Sequence, residues 1–300
     1  MNKGVIIRIQ QNYNDNQSIN TTTNKMYEHI RRISSDIRAG RKRIIRLDER
    51  GEKGRIFAGQ TAIEATCILG EYRQSNPELY RESEQREDPT VGNLESKEER
   101  LLTKYAKSAN KWLDYNIIKE EAKKQLPSGC EADVFVFGNP DDTKYVIKVV
   151  DYKIFSLLPS HFIDNRIALY NALFPETNYV LTGFTKNKDK DFAFVLKQPY
   201  VEGHELIEEA GEYAINNRES GQVLREINEV VKEKSGLTRQ DVTTLSDDKY
   251  IIEDVHLRNV LRHKKNGKLY FIDVVPSLNT ANDEYQGTNY YREFDVIDNE

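Results

Sequence analysis

The stretch that decides the fold is residues 250–275, YIIEDVHLRNVLRHKKNGKLYFIDVV. Its β-branched beginning predicts a strand, and Val260 lies in a second extended piece. The dipeptide Asn266-Gly267 then predicts a tight hairpin turn into the apolar residues that follow, because both residues tolerate the positive φ that such turns need. The stretch therefore predicts strand, loop, strand, turn and strand.

Three polar side chains that can contact a metal ion fall at the ends of these strands: Asp254, Asn259 and Asp273. Phosphoryl transfer uses such a set, with one Asp to accept a hydroxyl proton and an Asn and a second Asp to hold the metal. Any one of the three, taken alone, is more often a turn former that bonds to its own backbone. Their combination and order favour the functional interpretation.

Composition limits the classes of protein that the 300 residues can form. Hydrophobic residues make up 38% and the mean hydropathy is −0.72, so part of the chain is expected to be disordered or extended. A net charge of −5 argues against general nucleic-acid affinity of the whole chain. Cys67 and Cys130 lack the spacing of a disulfide framework and are expected to be free thiols. Without a membrane-length apolar run or a signal peptide, a cytoplasmic protein is expected.

The first 56 residues are basic inside this acidic chain, with 13 Lys and Arg against 6 Asp and Glu. Residues 26–37 place apolar side chains on one helical face, and Arg41-Lys42-Arg43 follows. The segment 25–55 is therefore a candidate contact for nucleic acid or an acidic partner. The alternative is the solvated face of a small helix, which the lack of interleaved aromatic residues favours.

Two helices and a linker are predicted next. Residues 59–72 have the apolar side of a compact helix, whereas 74–98 are rich in Glu, Arg, Ser, Pro and Gly, which predicts a linker or disordered hinge. Ser96, followed three residues later by Glu99, predicts a capping box that begins a helix over 97–115.

From residue 126 the predicted elements are strands. Residues 132–137 and 144–150 alternate as a hairpin does, and Gly129 precedes the first arm, where backbone could approach a phosphate closely. Alternation places Lys148 between Val146 and Val150 on one face. Such a lysine either faces solvent at a sheet edge or reaches an anionic ligand in a cleft, and its apolar neighbours favour the cleft. A helix over 160–174, strands over 179–184 and 192–197, a connector at 198–203, and helices over 205–217, 222–235 and 238–245 follow.

In this order the parts resemble the protein kinase-like fold. They are most similar to the serine/threonine/tyrosine kinase domain found in polyvalent proteins of phages and conjugative elements. The resemblance covers about 97–278, and the matching residues are Gly129-Cys130-Glu131-Ala132-Asp133-Val134, Tyr145-Val146-Ile147-Lys148, the NALFPET run at 171–177, Asp254-Val255-His256-Leu257-Arg258-Asn259, and Phe271-Ile272-Asp273.

The resemblance implies an α+β, two-lobed domain with a small antiparallel sheet lobe and a short helical lobe. We expect it to follow a mostly helical, partly disordered N-terminal region. The implied division is a basic N-terminal module over 1–75, a linker over 76–96, the kinase-like domain over 97–280 and a polar tail over 281–300.

The resemblance also implies a role for each matched residue. Lys148 would bind the α- and β-phosphates of ATP, Asp254 would be the catalytic base, and Asn259 and Asp273 would hold Mg²⁺. The implied activity is transfer of the ATP γ-phosphoryl group to a hydroxyl on a protein or a small molecule. The alternatives are a catalytically degraded kinase-like protein that binds a nucleotide or a partner, and a nucleic-acid-associated protein of a mobile element.

The rest of the implied nucleotide site lies in two loops. Gly129 and its neighbours would cover the triphosphate, and the connector with Gln198 and Tyr200 would bind adenine through its backbone.

The chain departs from the family pattern at three points. No Glu occurs between Lys148 and Glu176, so Asp164 is the only acid on the intervening helix. It would either pair with the lysine or lie on the surface. Val274-Val275, rather than a glycine, follows Asp273. Only 27 residues come after Asp273, too few for the usual activation segment and peptide-docking helices, so the resemblance does not by itself imply a protein-substrate site of the ordinary kind.

Overall fold

A computed structural model describes residues 42–44, 57–76, 78–79, 90–127, 131–138, 144–154, 156, 158–206, 225–230, 232, 238–239, 244–246, 250–255, 257–278 and 296–298. Gly129, Cys130 and most of the basic segment 25–55 lie outside these residues. The predictions made for them stay predictions.

The described residues form strands and helices, numbered in chain order. The strands are β1 Lys42–Ile44, β2 Lys124–Gln125, β3 Ala132–Gly138, β4 Lys144–Val150, β5 Val180–Lys186, β6 Phe192–Pro199, β7 Gly203–Glu205, β8 Thr238–Arg239, β9 Leu245–Ser246, β10 Tyr250–Glu253, β11 Val260–His263, β12 Leu269–Phe271, β13 Val275–Leu278 and β14 Val296–Asp298. The helices are α1 Gln60–Ser75, α2 Thr90–Ser108, α3 Tyr115–Glu121 and α4, which joins Pro159–His161, the π-helical Phe162–Leu169 and Tyr170–Leu173. Residues 225–230 are also helical.

An antiparallel sheet of five strands, in the order β2-β3-β4-β6-β5, forms the first lobe. The predicted hairpin is β3 and β4, in which Val134 pairs with Lys148. Alternate residues of a strand point to opposite faces of the sheet, and both faces of this sheet are covered. Helix α3 covers one face through Ile118, and the other face belongs to the main core, which includes Val150 and Leu196.

Helix α1, which the sequence places in a separate N-terminal module, packs into the main core. Ala62, Ala65 and Leu69 of α1 lie in one apolar cluster with residues of α2, α4 and the sheet. The chain just before α1 also joins the sheet lobe, since Leu181 N donates to Ala58 O at 3.0 Å. Within the described chain, α1 is therefore part of the same packed unit as the residues after 97.

Helix α2 begins at Thr90 and ends at Ser108. The predicted capping box at Ser96 is therefore wrong, and residues 90–96 are helix rather than linker. The physical reason is tertiary packing: Leu94 is buried against Leu158, and Glu95 accepts a hydrogen bond from Tyr152 at 3.0 Å. These contacts stabilise a helical turn that the polar composition does not favour locally.

The second lobe contains more strand than the sequence predicts. Strands β12-β11-β7 form one small antiparallel sheet and β13-β10-β9-β8 form another. The helix predicted over 238–245 is wrong: its two ends lie in β8 and β9, which pair with each other. The predicted hairpin between β11 and β12 is present, and Gly267 has a φ of 67° in its turn. The loop is longer than a two-residue Asn-Gly turn, because His263 N donates to Lys268 O and Gly267 N donates to His263 O, and Asn266 does not have a positive φ.

Two further features bear on the expectations from composition. Cys67 is buried and forms no disulfide bond with another described residue. Among the helices of the described residues, none has the length and apolar character needed to cross a membrane.

Candidate active site

Asp254, Asn259 and Asp273 meet at one end of the second lobe. Asp254 follows β10, Asn259 precedes β11 and Asp273 follows β12. Asn259 Nδ2 donates to Asp254 Oδ2 at 2.8 Å, to Asp254 O at 3.0 Å and to Asp273 O at 3.2 Å. Pairing of β11 with β12 fixes this proximity, and Ile272 N donates to Asn259 O at 3.0 Å just beyond the paired residues.

Asp254 has a φ of 61°, in the left-handed region that few side chains adopt. Asp and Asn enter this region more readily than other non-glycine residues, because their short polar side chains bond locally. The hydrogen bond from Asn259 Nδ2 is such a contact. A larger apolar residue at position 254 would therefore be strained in this backbone conformation.

Lys148 extends from β4 to this cluster, as the cleft interpretation predicts. Its side chain is 6% exposed. The Nζ atom donates to Ile272 O at 2.9 Å and to the Tyr179 hydroxyl at 3.3 Å, and it lies 3.3 Å from Asp273 Oδ1. The lysine thereby connects the sheet lobe to the loop that carries Asp273.

Arg166 of helix α4 is a site residue that the sequence interpretation missed. It is 4% exposed, donates from one guanidinium nitrogen to Val274 O, and places Nη2 at 3.4 Å from Asp273 Oδ1. A sequence signal existed: Ile163, Arg166 and Tyr170 follow helical spacing, so the arginine lies on the apolar face of the helix.

Asp164, the candidate partner for the lysine, does not reach Lys148. It is buried and lines a different cavity, which lies between α1 and α4 and includes Thr66, Leu69, Arg73 and Ser160. The alternative that Asp164 lies on the surface is wrong as well. Helix α4 therefore turns its acid toward α1 and its arginine toward the cleft.

The pKa of Asp273 is determined by its burial and by two neighbouring cations. Burial of the carboxyl group acts to raise its pKa, but Lys148 and Arg166 outweigh this and hold the pKa below its ordinary value. Glu131, at the mouth of the same cleft, behaves in the opposite way. Its burial, together with the nearby negative charge of Asp273, raises its pKa, although Arg166 and Lys148 act to lower it.

The cleft between the two lobes has a mixed lining. Its charged members are Glu131, Lys148, Arg166 and Asp273, and its other members are Ala132, Val150, Phe162, Tyr179 and Leu196. An apolar wall with a few convergent charges is typical of a small-molecule site.

Gln198 lies near the end of β6, and Tyr200 follows that strand. Gln198 Nε2 donates to Ile272 O at 3.3 Å, the carbonyl oxygen to which Lys148 Nζ also donates. The buried Gln198 side chain points inward and donates to the Tyr170 hydroxyl at 3.0 Å and to Thr177 O at 2.8 Å. Tyr200 is exposed, and its backbone N donates to Lys144 O at 3.4 Å. Their predicted contact with adenine stays a prediction.

The donor chemistry of the cluster fits a hard divalent cation and a phosphate. Asp254, Asn259 and Asp273 offer oxygen ligands, and Lys148 and Arg166 offer positive charge. Within the described chain, no three His, Cys, Asp or Glu residues group into a metal site. A metal here would therefore need the Asn259 amide oxygen and phosphate oxygens in addition to the two carboxylates.

Comparisons with known proteins place this geometry in context. The chain is similar to the crystal structure of Rad53 1-466 in complex with AMP-PNP, at 12% identity and a TM-score of 0.31, over 50% of this chain and 36% of that one. No curated protein matches in sequence. A family model described as "Serine/Threonine/Tyrosine Kinase found in polyvalent proteins" matches residues 95–280, which is more than half of the chain. The chain therefore belongs to the family of serine/threonine/tyrosine kinases found in polyvalent proteins, and its fold is kinase-like.

Proposed function

We propose that the protein is a Mg²⁺-dependent phosphotransferase that moves the γ-phosphoryl group of ATP to a hydroxyl on a protein or a small molecule. The observation that carries the proposal is the convergence of Lys148, Asp254, Asn259 and Asp273, which come from four places in the chain. Family membership over residues 95–280 supports the same activity.

In this proposal Asp254 is the general base. Its carboxylate accepts the proton of the acceptor hydroxyl as that oxygen attacks the γ-phosphorus. Asn259 holds Asp254 in position through Nδ2, and because that nitrogen makes the hydrogen bonds to Asp254 and Asp273, Oδ1 remains as the ligand atom of the amide. A Mg²⁺ ion bound by Asn259 and Asp273 would neutralise charge on the phosphates.

Lys148 is the proposed partner of the α- and β-phosphates. Its position is set by Ile272 O and Tyr179, so the ammonium group is held inside the cleft. We assign the triphosphate cover to Gly129 and its neighbours, and adenine binding to the connector with Gln198 and Tyr200. The proposed setting is the cytoplasm of a cell that carries a mobile element, where ATP and Mg²⁺ are present.

The test is phosphoryl transfer from γ-labelled ATP, with Asp254→Asn as the diagnostic variant. Asparagine tolerates the left-handed backbone of residue 254 and keeps an acceptor for Asn259 Nδ2, but it cannot take up the proton. We expect a rate loss of about 10²- to 10⁴-fold, the range for removal of a general base. Asp189→Asn, in the exposed turn between β5 and β6, is the matched control and should keep wild-type turnover.

Measured turnover in Asp254→Asn equal to that of the wild type would exclude the assigned base. Label incorporated into the chain itself, or phosphate released to water, would count as turnover in both variants. A folded wild-type protein that shows neither would contradict the proposal.

One observation favours a second candidate, a kinase-like protein that binds nucleotide without turnover. Helix α4 presents Arg166 rather than an acid to the cleft, and Lys148 contacts Asp273 instead of a helix carboxylate. This candidate predicts that ATP raises the melting temperature of the wild type while the labelled phosphate stays on ATP. The same labelled-ATP experiment therefore separates the two candidates.

A further inference from the structure

Arg166 and Lys148 approach the same carboxylate oxygen from different elements. Lys148 Nζ lies 3.3 Å and Arg166 Nη2 lies 3.4 Å from Asp273 Oδ1, and both cationic side chains are almost fully buried. Helix α4 has π-helical hydrogen bonding around Arg166, a local geometry that recurs at functional sites. The structure thus places a second cation where the sequence predicts only one.

The charges explain why this second cation bears on ligand binding. An arginine stays charged at all ordinary pH values, and a buried charge is costly unless an opposite charge lies near it. Asp273 supplies that charge to both cations here. Glu131 also lies near both cations. A metal ion bound by Asp273, as the proposed function requires, would share the charge of that carboxylate, and the phosphates of the nucleotide would supply further negative charge beside the two cations.

The geometry of Arg166 allows such a contact. Its guanidinium group has five N–H donors in a planar fork, which matches two oxygens of one phosphate. The contact with Val274 O can remain, because it uses one edge of the group and concerns only backbone. Arg166 also lines the same cleft as Lys148 and Glu131, so a phosphate that reaches Lys148 also lies near Arg166.

We propose that Arg166 is a second phosphate-binding residue of the nucleotide site, which holds ATP phosphate oxygens through two parallel hydrogen bonds beside Lys148. The inference deepens the proposed function and rests on it. Helix α4 would then contribute a cation that contacts the phosphates directly. A carboxylate at the same position would act only indirectly, by orienting Lys148.

The test is calorimetric titration of the full chain, with Mg²⁺ present, using ATP, ADP and adenosine. Arg166→Gln removes the charge but keeps an amide donor for Val274 O, whereas Arg166→Lys keeps the charge and loses the fork. We expect Arg166→Gln to bind ATP at least about tenfold more weakly, as for loss of a hydrogen bond to a charged group, and adenosine as tightly as the wild type does. Arg166→Lys should recover part of the ATP affinity. Arg100→Met, on the exposed side of α2, is the control and should match the wild type with all three ligands.

The pattern across ligands separates phosphate binding from a merely structural role. A residue that only holds Val274 in place would weaken ATP and adenosine equally, and that result would overturn the inference. Wild-type ATP affinity in Arg166→Gln would overturn it as well.

If Arg166→Gln does not fold, the Arg166→Lys variant provides the test. Weaker ATP binding with unchanged adenosine binding supports the inference, and unchanged ATP binding contradicts a bidentate contact. A wild-type protein that binds no nucleotide contradicts the proposed function itself, whereas tight ATP binding that ignores residue 166 contradicts only this inference.

Discussion

Asp273 combines a proposed role with an observed contact, and the combination complicates the usual test of a metal ligand. It is a proposed ligand of Mg²⁺, and it is also the carboxylate that Lys148 and Arg166 both contact. Replacing it leaves two buried cations without that partner. Loss of activity in an Asp273 variant therefore does not identify a metal ligand by itself, and for this reason Asp254→Asn is the better diagnostic.

We predict that Asp273→Asn lowers the free energy of unfolding by about 3 kcal/mol, the low end of the cost of breaking a buried ion pair from one side, because the two cations are buried whereas the Asp273 side chain is 33% exposed. The measurement is urea unfolding at pH 7, with Asp189→Asn as the exposed control.

The pH dependence of this contribution has a definite sign. Because the folded-state pKa of Asp273 is lowered, its contribution is present above the ordinary Asp pKa of about 3.9 and is lost as the pH falls through the folded-state value. The difference between wild type and variant should therefore shrink below about pH 4, and a constant difference down to pH 2 would contradict the pairing.

At the scale of elements, helix α4 is capped by a residue from another helix. Leu158 precedes its first turn and offers no polar side chain, but Glu98 of α2 accepts from Ser160 N at 2.9 Å and from Ser160 Oγ at 3.0 Å. Glu98 is fully buried. A carboxylate at a helix N-terminus satisfies a free backbone N–H and interacts favourably with the helix dipole. The position of α4, and with it of Arg166, therefore depends on α2.

We expect Glu98→Ala to lower the free energy of unfolding by about 2–3 kcal/mol, because it removes a charged acceptor and leaves buried donors unsatisfied. Glu98→Gln keeps an acceptor and should lose roughly half as much. Glu120→Ala, at an exposed position of α3, should change the free energy by less than about 0.5 kcal/mol. Urea denaturation of the three variants measures this, and equal stability of Glu98→Ala and the wild type would exclude the cap.

At the scale of the whole molecule, the packed unit is larger than the region that the family model matches. That region begins at residue 95, yet α1 contributes to the main core, and Tyr105 of α2 donates to Glu64 of α1 at 2.6 Å. The cavity that contains Asp164 is also closed by α1. The helix upstream of the matched region thus supports the back of α4, on the side opposite the cleft.

We predict that a chain of residues 95–280 is much less stable than one of residues 57–280. Removing α1 exposes apolar core surface whose burial contributes several kcal/mol, a large part of the stability of an ordinary domain. A loss of this size corresponds to a fall in the thermal midpoint of about 10 °C or more. Circular dichroism melts of both chains and of the full protein measure it, and similar midpoints for 95–280 and the full chain would show that α1 is dispensable.

The parts of the site that could be predicted from sequence depend on local chemistry. Asn266-Gly267 sets the β11–β12 turn, strand alternation places Lys148 on one face with Val146 and Val150, and the spacing of Asp254 and Asn259 brings them together across one loop. Each of these relations spans few residues, so turn geometry and strand period are enough to determine it. By itself, therefore, the sequence determined the two hairpins, the order of the parts and the grouping of Lys148, Asp254, Asn259 and Asp273, but not the presence of Arg166 beside them.

Only the tertiary structure decided which charges pair. Arg166 meets residues more than a hundred positions later in the chain, Glu98 caps a helix 62 residues away, and residues 90–96 become helical through contacts with the chain around Leu158. Local composition offered Asp164 as the candidate acid beside Lys148 and predicted a linker up to residue 96. Both interpretations failed at long range, because the rotation of α4 is set by burial of its apolar face against α1, α2 and the sheet, and that burial determines which charged side chain faces the cleft.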